Sequence, residues 1–135
     1  MITGAGGAIG RACATQFARD GCRRIVGLDL SREGLGQTAS QLSSEFGQDV
    51  EFVPIPTNLT VESEVRDAFV QVKKRFGRLD YAVNNAGIGQ KALTTPETSL
   101  DEFDKVLAVN LKGVWLCARE ELRMMKDQPL RAPAK

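Results

Sequence analysis

Four glycines within residues 4–10, in the stretch Thr3-Gly4-Ala5-Gly6-Gly7-Ala8-Ile9-Gly10, constrain this chain more than anything else in it. Glycine lacks a Cβ, so the backbone there can turn sharply and let another group come close. Ile9, Cys13 and Phe17 then recur every four residues, which predicts an amphipathic helix over residues 9–20 with Gly21 as its left-handed stop. A glycine turn leading into a helix N-terminus suits a phosphate, because free N–H groups and the positive end of the helix dipole face one point. The strict pattern Gly-x-Gly-x-x-Gly is not met, since from Gly4 its last glycine would fall on Ile9. The looser Thr-Gly-x-x-x-(Gly/Ala)-x-Gly is met by Thr3, Gly4, Ala8 and Gly10. A plain tight turn is the competing reading of this feature taken alone.

The rest of the chain alternates strand and helix. Residues 24–29 form a short apolar run that reads as a buried strand, and Ser31 can cap a helix carrying Leu35, Thr38, Ala39, Leu42 and Phe46. Residues 50–55 read as the next strand. Thr60 can cap a third helix with Val61, Val65, Phe69, Val72 and Phe76 on its apolar face, followed by Gly77. Residues 79–83 read as a fourth strand, and the capping box Ser99-Leu100-Asp101-Glu102 predicts a long helix over residues 100–126. Starts every 25 to 30 residues match the period of a right-handed βα unit. The expected fold class is α/β: a three-layer, Rossmann-like, doubly wound parallel sheet, incomplete, with about four strands in the order 3-2-1-4. One partial domain is expected over residues 1–126, with a loose tail at 127–135 that carries Pro129 and Pro133.

Composition excludes several alternatives. The 135 residues contain no histidine, which removes Ser-His and Cys-His catalysis from this chain. Cys13, Cys22 and Cys117 are odd in number and lack Cys-x-x-Cys spacing, so they read as reduced thiols, with no metal site and a cytoplasmic setting. A formal net charge of +1 offers no field for nucleic acid or a polybasic membrane anchor. No run approaches the ~18 apolar residues of a membrane span. A small ligand is the expected partner.

Asp29 sharpens which ligand. It ends the second strand nineteen residues after Gly10, where a carboxylate can accept hydrogen bonds from the ribose hydroxyls of an adenine dinucleotide. A 2′-phosphate would face that negative charge, so NAD is favoured over NADP, while Arg32 three residues on softens the preference.

Three further stretches are Asn58-Leu59-Thr60, Asn84-Asn85-Ala86-Gly87 and Val109-Asn110-Leu111-Lys112-Gly113. With the glycine turn and Asp29, they resemble the short-chain dehydrogenase/reductase family in its single-domain form, over the chain up to about residue 126. The resemblance implies that Gly4, Ala5, Gly6, Gly7, Ile9 and Gly10 cradle the pyrophosphate and that Asp29 holds the adenosine ribose. It places Asn58 and Leu59 at the adenine, where the family more often has an aspartate, and Asn85, Ala86 and Gly87 along the cofactor's ribose. Asn110 matches an asparagine that helps hold a water in a proton relay. Each has a structural alternative: Thr3 fixing the turn, Asn84 bonding backbone between strands, and Asn110 making a purely structural bond.

In that family a serine and a Tyr-x-x-x-Lys perform the acid-base work. The one tyrosine here, Tyr81, is followed four residues on by Asn85 and precedes Asn110, so it does not match. The resemblance therefore implies a family member truncated at both ends: the cofactor half of an NAD(P)-linked oxidoreductase acting on an unknown small alcohol or ketone, inactive alone. The alternative is a non-catalytic remnant that binds a nucleotide or a partner, and a weaker one is a partner chain that supplies the missing strands. The apolar stripe of residues 103–117, with Trp115, is expected to lack its cover, and the 100–126 helix is the candidate surface for a homo-oligomer.

Overall fold

The structure is a computed structural model that describes residues 1–90 and 94–129. In chain order its elements are β1 (Ile2–Thr3), α1 (Ala8–Arg19), β2 (Arg24–Asp29), α2 (Arg32–Phe46), β3 (Glu51–Pro56), α3 (Glu62–Phe76), α4 (Leu100–Leu107), a π-helical turn (Ala108–Gly113) and α5 (Val114–Lys126). Among the described residues the three strands make one parallel sheet in the order β1-β2-β3, with Ile2 opposite Gly27 and Arg24 opposite Glu51. This is the expected Rossmann-like α/β class.

The sheet separates two cores, and strand alternation sorts side chains between them. Ile2, Ala5 and Ile25 pack with Ala14, Ala18, Leu35 and Leu42 of α1 and α2. Val26, Leu28 and Ile55 pack with Val65, Phe69 and Val72 of α3 and with Leu116 and Cys117 of α5. Gly27 lies where a Cβ would strike the Phe52 ring and Ala5, so a larger residue there would push the sheet away from its glycine-turn side.

Several expectations are corrected. The fourth strand is reduced to one parallel bridge, Ile2 to Val83, held by Thr3 N–H to Val83 O at 3.0 Å and Val83 N–H to Met1 O at 2.9 Å. Its partner β1 has only two residues, so a longer ladder has nothing to run along. Helix α1 buries Gly10, Ala14, Thr15 and Ala18, whereas Ile9 is 72% exposed. Its small residues bring the helix close to the sheet, leaving Cys13 and Phe17 at the margin of the core. Ser31 does cap α2, accepting from Gly34 N–H at 3.0 Å. Thr60 does not cap α3: its hydroxyl and N–H both donate to Asn58 Oδ1, and Val61 takes the N-cap place without a side-chain bond. The long helix begins as expected with Ser99 accepting from Glu102 N–H at 3.2 Å, and then widens into the π turn.

The apolar stripe along α4 and α5 is uncovered, with Phe103 and Trp115 both more than half exposed and the Arg119 guanidinium stacked 4.8 Å from the Trp115 ring centre. Of the expected tail, residues 130–135 lie outside the described residues. Gln128 is tied down, accepting from Leu79 N–H at 3.0 Å and donating to Leu79 O at 2.7 Å. No helix of the described residues is long and apolar enough to cross a membrane.

Candidate functional site

In a parallel sheet, ligands bind beyond the carboxyl ends of the strands where the order of connection reverses. Here that point lies between β1, which leads through the glycine turn to α1 and β2 on one side, and the Val83 bridge on its other side. The glycine turn and residues 85–87 both emerge there, one from each neighbour.

The turn is shaped by contacts only glycine permits. Gly4 has φ of 67°, in the left-handed region, and a Cβ on it would lie 2.8 Å from Asn85 Nδ2 and 2.9 Å from Ala86 Cα. A Cβ on Gly10 would drive into the carbonyl of Gly4. Gly7 N–H bonds Gly4 O at 3.1 Å and closes the turn. Gly7 is also the N-cap of α1 and brings no side-chain acceptor, so the helix's first N–H groups face solvent beside exposed Gly7, Ala8 and Ile9.

Asp29 braces this turn as well as facing it. Its Oδ2 accepts from Gly6 N–H at 2.9 Å and its Oδ1 from Ser31 N–H at 2.8 Å. Each carboxylate oxygen keeps a further lone pair for a ligand hydroxyl. Gly6 fits against Asp29 because a Cβ would sit 3.0 Å from the carboxyl carbon, and Gly34 of α2 closes the other side, its own absent Cβ 2.7 Å from Gly6 O.

Three positioning residues were not among those expected: Gly34, Thr38 and Arg11. Buried Thr38 donates to Ala5 O at 2.7 Å and accepts from Arg11 Nε at 3.2 Å. Arg11 also reaches Gly6 O at 3.1 Å and Gln37 Oε1 at 2.8 Å. The carbonyls of Ala5 and Gly6 are thus drawn toward α2. Thr38 fits the apolar stripe of α2 by spacing, which masks its hydroxyl. Gly34 inside the helix, where glycine costs about 1 kcal/mol against alanine, hints at a close approach, but Gly36 beside it has open space, so the sequence does not single it out.

The opposite wall is clamped at both ends. Asn85 Nδ2 donates to Thr3 O at 3.0 Å, and Ala86 N–H donates to Thr3 Oγ1 at 3.0 Å, so Thr3 does fix the turn. Asn110, on the π turn, takes Ile88 in both directions: Ile88 N–H to Oδ1 and Nδ2 to Ile88 O, each 2.9 Å. Gly87 lies between the clamps, its missing Cβ 3.4 Å from Asn110 Oδ1. Asn84 bonds a side chain instead of backbone, donating to Glu121 Oε2 at 2.9 Å.

The structure does not bring Asn58 and Leu59 to this wall in the same way. Asn58 Oδ1 is occupied by Thr60, and Asn58 N–H is taken by Glu64 Oε2 at 2.7 Å. Leu59 is buried against Gly113. Tyr81 stands at the amino end of the strands, its ring 6.1 Å from that of Phe17, lining a cavity of about 670 Å³ with Cys22 and Arg24. None of the glycine turn lines that cavity.

Residues 1–130 match the family described as short chain dehydrogenase. The chain belongs to that family. Levodione reductase of Leifsonia aquatica is 35% identical over 128 residues, which are 95% of this chain and 47% of the relative. The chain thus spans about half the length of this curated relative. A solved levodione reductase structure superposes with a TM-score of 0.88, covering 93% of this chain and 48% of that one. An NAD+-bound xylitol dehydrogenase gives 0.85 at 30% identity, covering 91% and 46%. An alcohol dehydrogenase from the archaeon Thermococcus sibiricus, complexed with 5-hydroxy-NADP, gives 0.82 at 33% identity, covering 91% and 51%.

Proposed function

We propose that this chain binds a nicotinamide adenine dinucleotide and is the cofactor-binding half of an oxidoreductase that moves hydride between nicotinamide and a small alcohol or ketone. The observation that carries this reading is the pair of close approaches at Gly4 and Gly10. They flatten the turn beneath an uncapped helix N-terminus, leaving room and N–H groups for a pyrophosphate. Ala5, Gly6, Gly7 and Ile9 complete the cradle. Asp29 takes the adenosine ribose with its remaining lone pairs, and Asn85, Ala86 and Gly87 line the far ribose. The adenine role of Asn58 and Leu59 rests on the family resemblance alone, since Asn58 is engaged by Thr60 and Glu64 and Leu59 is buried.

The bound dinucleotide supplies or accepts the hydride; the chain's own residues bind and orient it. Asp29 favours NAD over NADP, because a 2′-phosphate would meet a carboxylate already held by two backbone N–H groups. Neighbours in the family are found with either cofactor type. Catalysis by these 135 residues alone is not expected: Tyr81 lies at the opposite end of the strands from the turn, and Asn110 has committed both ends of its amide to Ile88. The free thiols Cys13, Cys22 and Cys117 fit a cytoplasmic setting.

Competitive titration with NADH and NADPH tests the assignment. NADH is expected to bind more tightly, and Asp29→Ala to lose roughly 1.5–3 kcal/mol of NADH affinity, the range for a charge-assisted hydrogen bond, and to lose the discrimination. Equal binding of NADH and NADPH by the unaltered chain contradicts the role given to Asp29.

A further inference from the structure

Asn84 and Glu121 share one hydrogen bond, from the Asn84 amide nitrogen to one Glu121 oxygen, and each has an oxygen left over. Asn84 Oδ1 and Glu121 Oε1 are both buried, and both lack a partner among the described residues. An ionised carboxylate has no hydrogen to give, so two unmatched acceptors remain on the two partners of a single bond. One proton on Glu121 resolves both at once. We propose that Glu121 is held as a neutral carboxylic acid, its Oε1–H donating to Asn84 Oδ1 while Asn84 Nδ2–H donates to Oε2, and that this acid–amide ring positions residues 84–87 against α5.

The surroundings agree. Glu121 is 6% exposed, and burial pushes its carboxyl above the ordinary carboxylate value, against the smaller opposing pulls of the Asn84 bond and the Met1 ammonium. The neighbouring Glu120 shows the contrast on the same helix: its carboxylate is met by Arg123 at 2.7 Å and Arg119 at 3.3 Å. The hydrogen-bond partner of Glu121 is a neutral amide. Other charged groups nearby are directed elsewhere. Glu62 of α3 is held by Arg119, Asp80 by Arg78 at 2.6 Å, and the Cys117 thiol, one turn back on α5, is pushed up to about 12, chiefly by burial, so it stays neutral.

The ring bears on the site because Asn84 leads directly into Asn85 and Ala86, which reach back to Thr3 beside the glycine turn. Anchoring Asn84 to α5 holds that segment from behind, making Glu121 a positioning residue for the far wall. A folded-state carboxyl raised above its unfolded value of 4.5 adds stability fully below that value, and the contribution is lost as pH rises through the folded pKa. The consequence for dinucleotide binding rests on the proposed function; the protonation does not.

Glu121→Gln separates the possibilities, since glutamine can make both bonds of the ring at any pH while Glu121→Ala makes neither. On the 135-residue chain, an infrared carboxylic-acid carbonyl band is expected to persist above the pH range in which exposed carboxyls ionise and to be lost in E121Q. Denaturant stability of the unaltered chain is expected to fall from pH 5 to 9 more steeply than that of E121Q, and E121A to be less stable than E121Q throughout. No such band, or E121Q as unstable as E121A with the pH slope unchanged, overturns the proposal. NADH affinity measured across the same pH range is expected to fall in the unaltered chain and stay flat in E121Q. If NADH fails to bind at all while the band and stability results hold, the proposed function fails and the protonated pair stands.

Discussion

Gly10 lies directly beneath the carbonyl of Gly4, and that contact decides whether the turn can exist in its present shape. Gly10→Ala places a methyl group into fixed backbone, with no flexible side chain to give way. The expected cost is about 1–3 kcal/mol of stability by over-packing, with loss of dinucleotide binding, read by denaturant titration and by NADH titration of the fraction that folds. An alanine variant that binds NADH normally would show that the turn tolerates displacement. Gly4, Gly10 and Asp29 were legible as a set because their spacing carries the geometry. The buttress behind them was not. Thr38 occupies a helical spacing shared with leucines, so only its bond to Ala5 O reveals that a polar group is needed there. Asp29 also proved to have two structural bonds that a ribose-binding role alone does not require.

At the scale of elements, the long helix after Ser99 carries a local change of winding where the site needs it. The π turn Ala108–Gly113 holds Asn110, and such turns tend to occur at functional positions because they redirect a side chain. Here the amide faces the Ile88 backbone and makes two bonds to it. Asn110→Ala removes both, so amide exchange at Ile88 is expected to quicken, with a stability loss of about 1–3 kcal/mol summed over two ordinary hydrogen bonds. Unchanged exchange at Ile88 would mean that the loop is held by the Asn85 and Ala86 contacts alone. The helix itself was readable from its cap and apolar spacing. The extra residue in the turn was not, because a π turn leaves no periodic mark over so few positions. Residues 79–83 have strand composition and reach the expected place beside β1, but Val83 alone forms a bridge there, since pairing depends on the length of a neighbour and β1 has two residues.

For the whole molecule, two ends of one sheet compete as binding places. The carboxyl end has the glycine turn, Asp29 and the clamped segment 85–88, flanking the point where connection order reverses. The amino end has a cavity of about 670 Å³, with Phe17, Cys22, Arg24 and Tyr81 in its lining. Chemistry favours the first, because N–H groups, a carboxylate and glycine clearance converge there, whereas the second offers only volume. The order of helices and strands, and the two-sided core that fixes this polarity, were legible from the recurring βα period. Hydrogen-exchange mapping with and without saturating NADH tests the choice most directly. Protection concentrated at residues 6–11 and 85–88 is the predicted result; protection at residues 20–25 and 79–81, with the glycine turn unchanged, would contradict it.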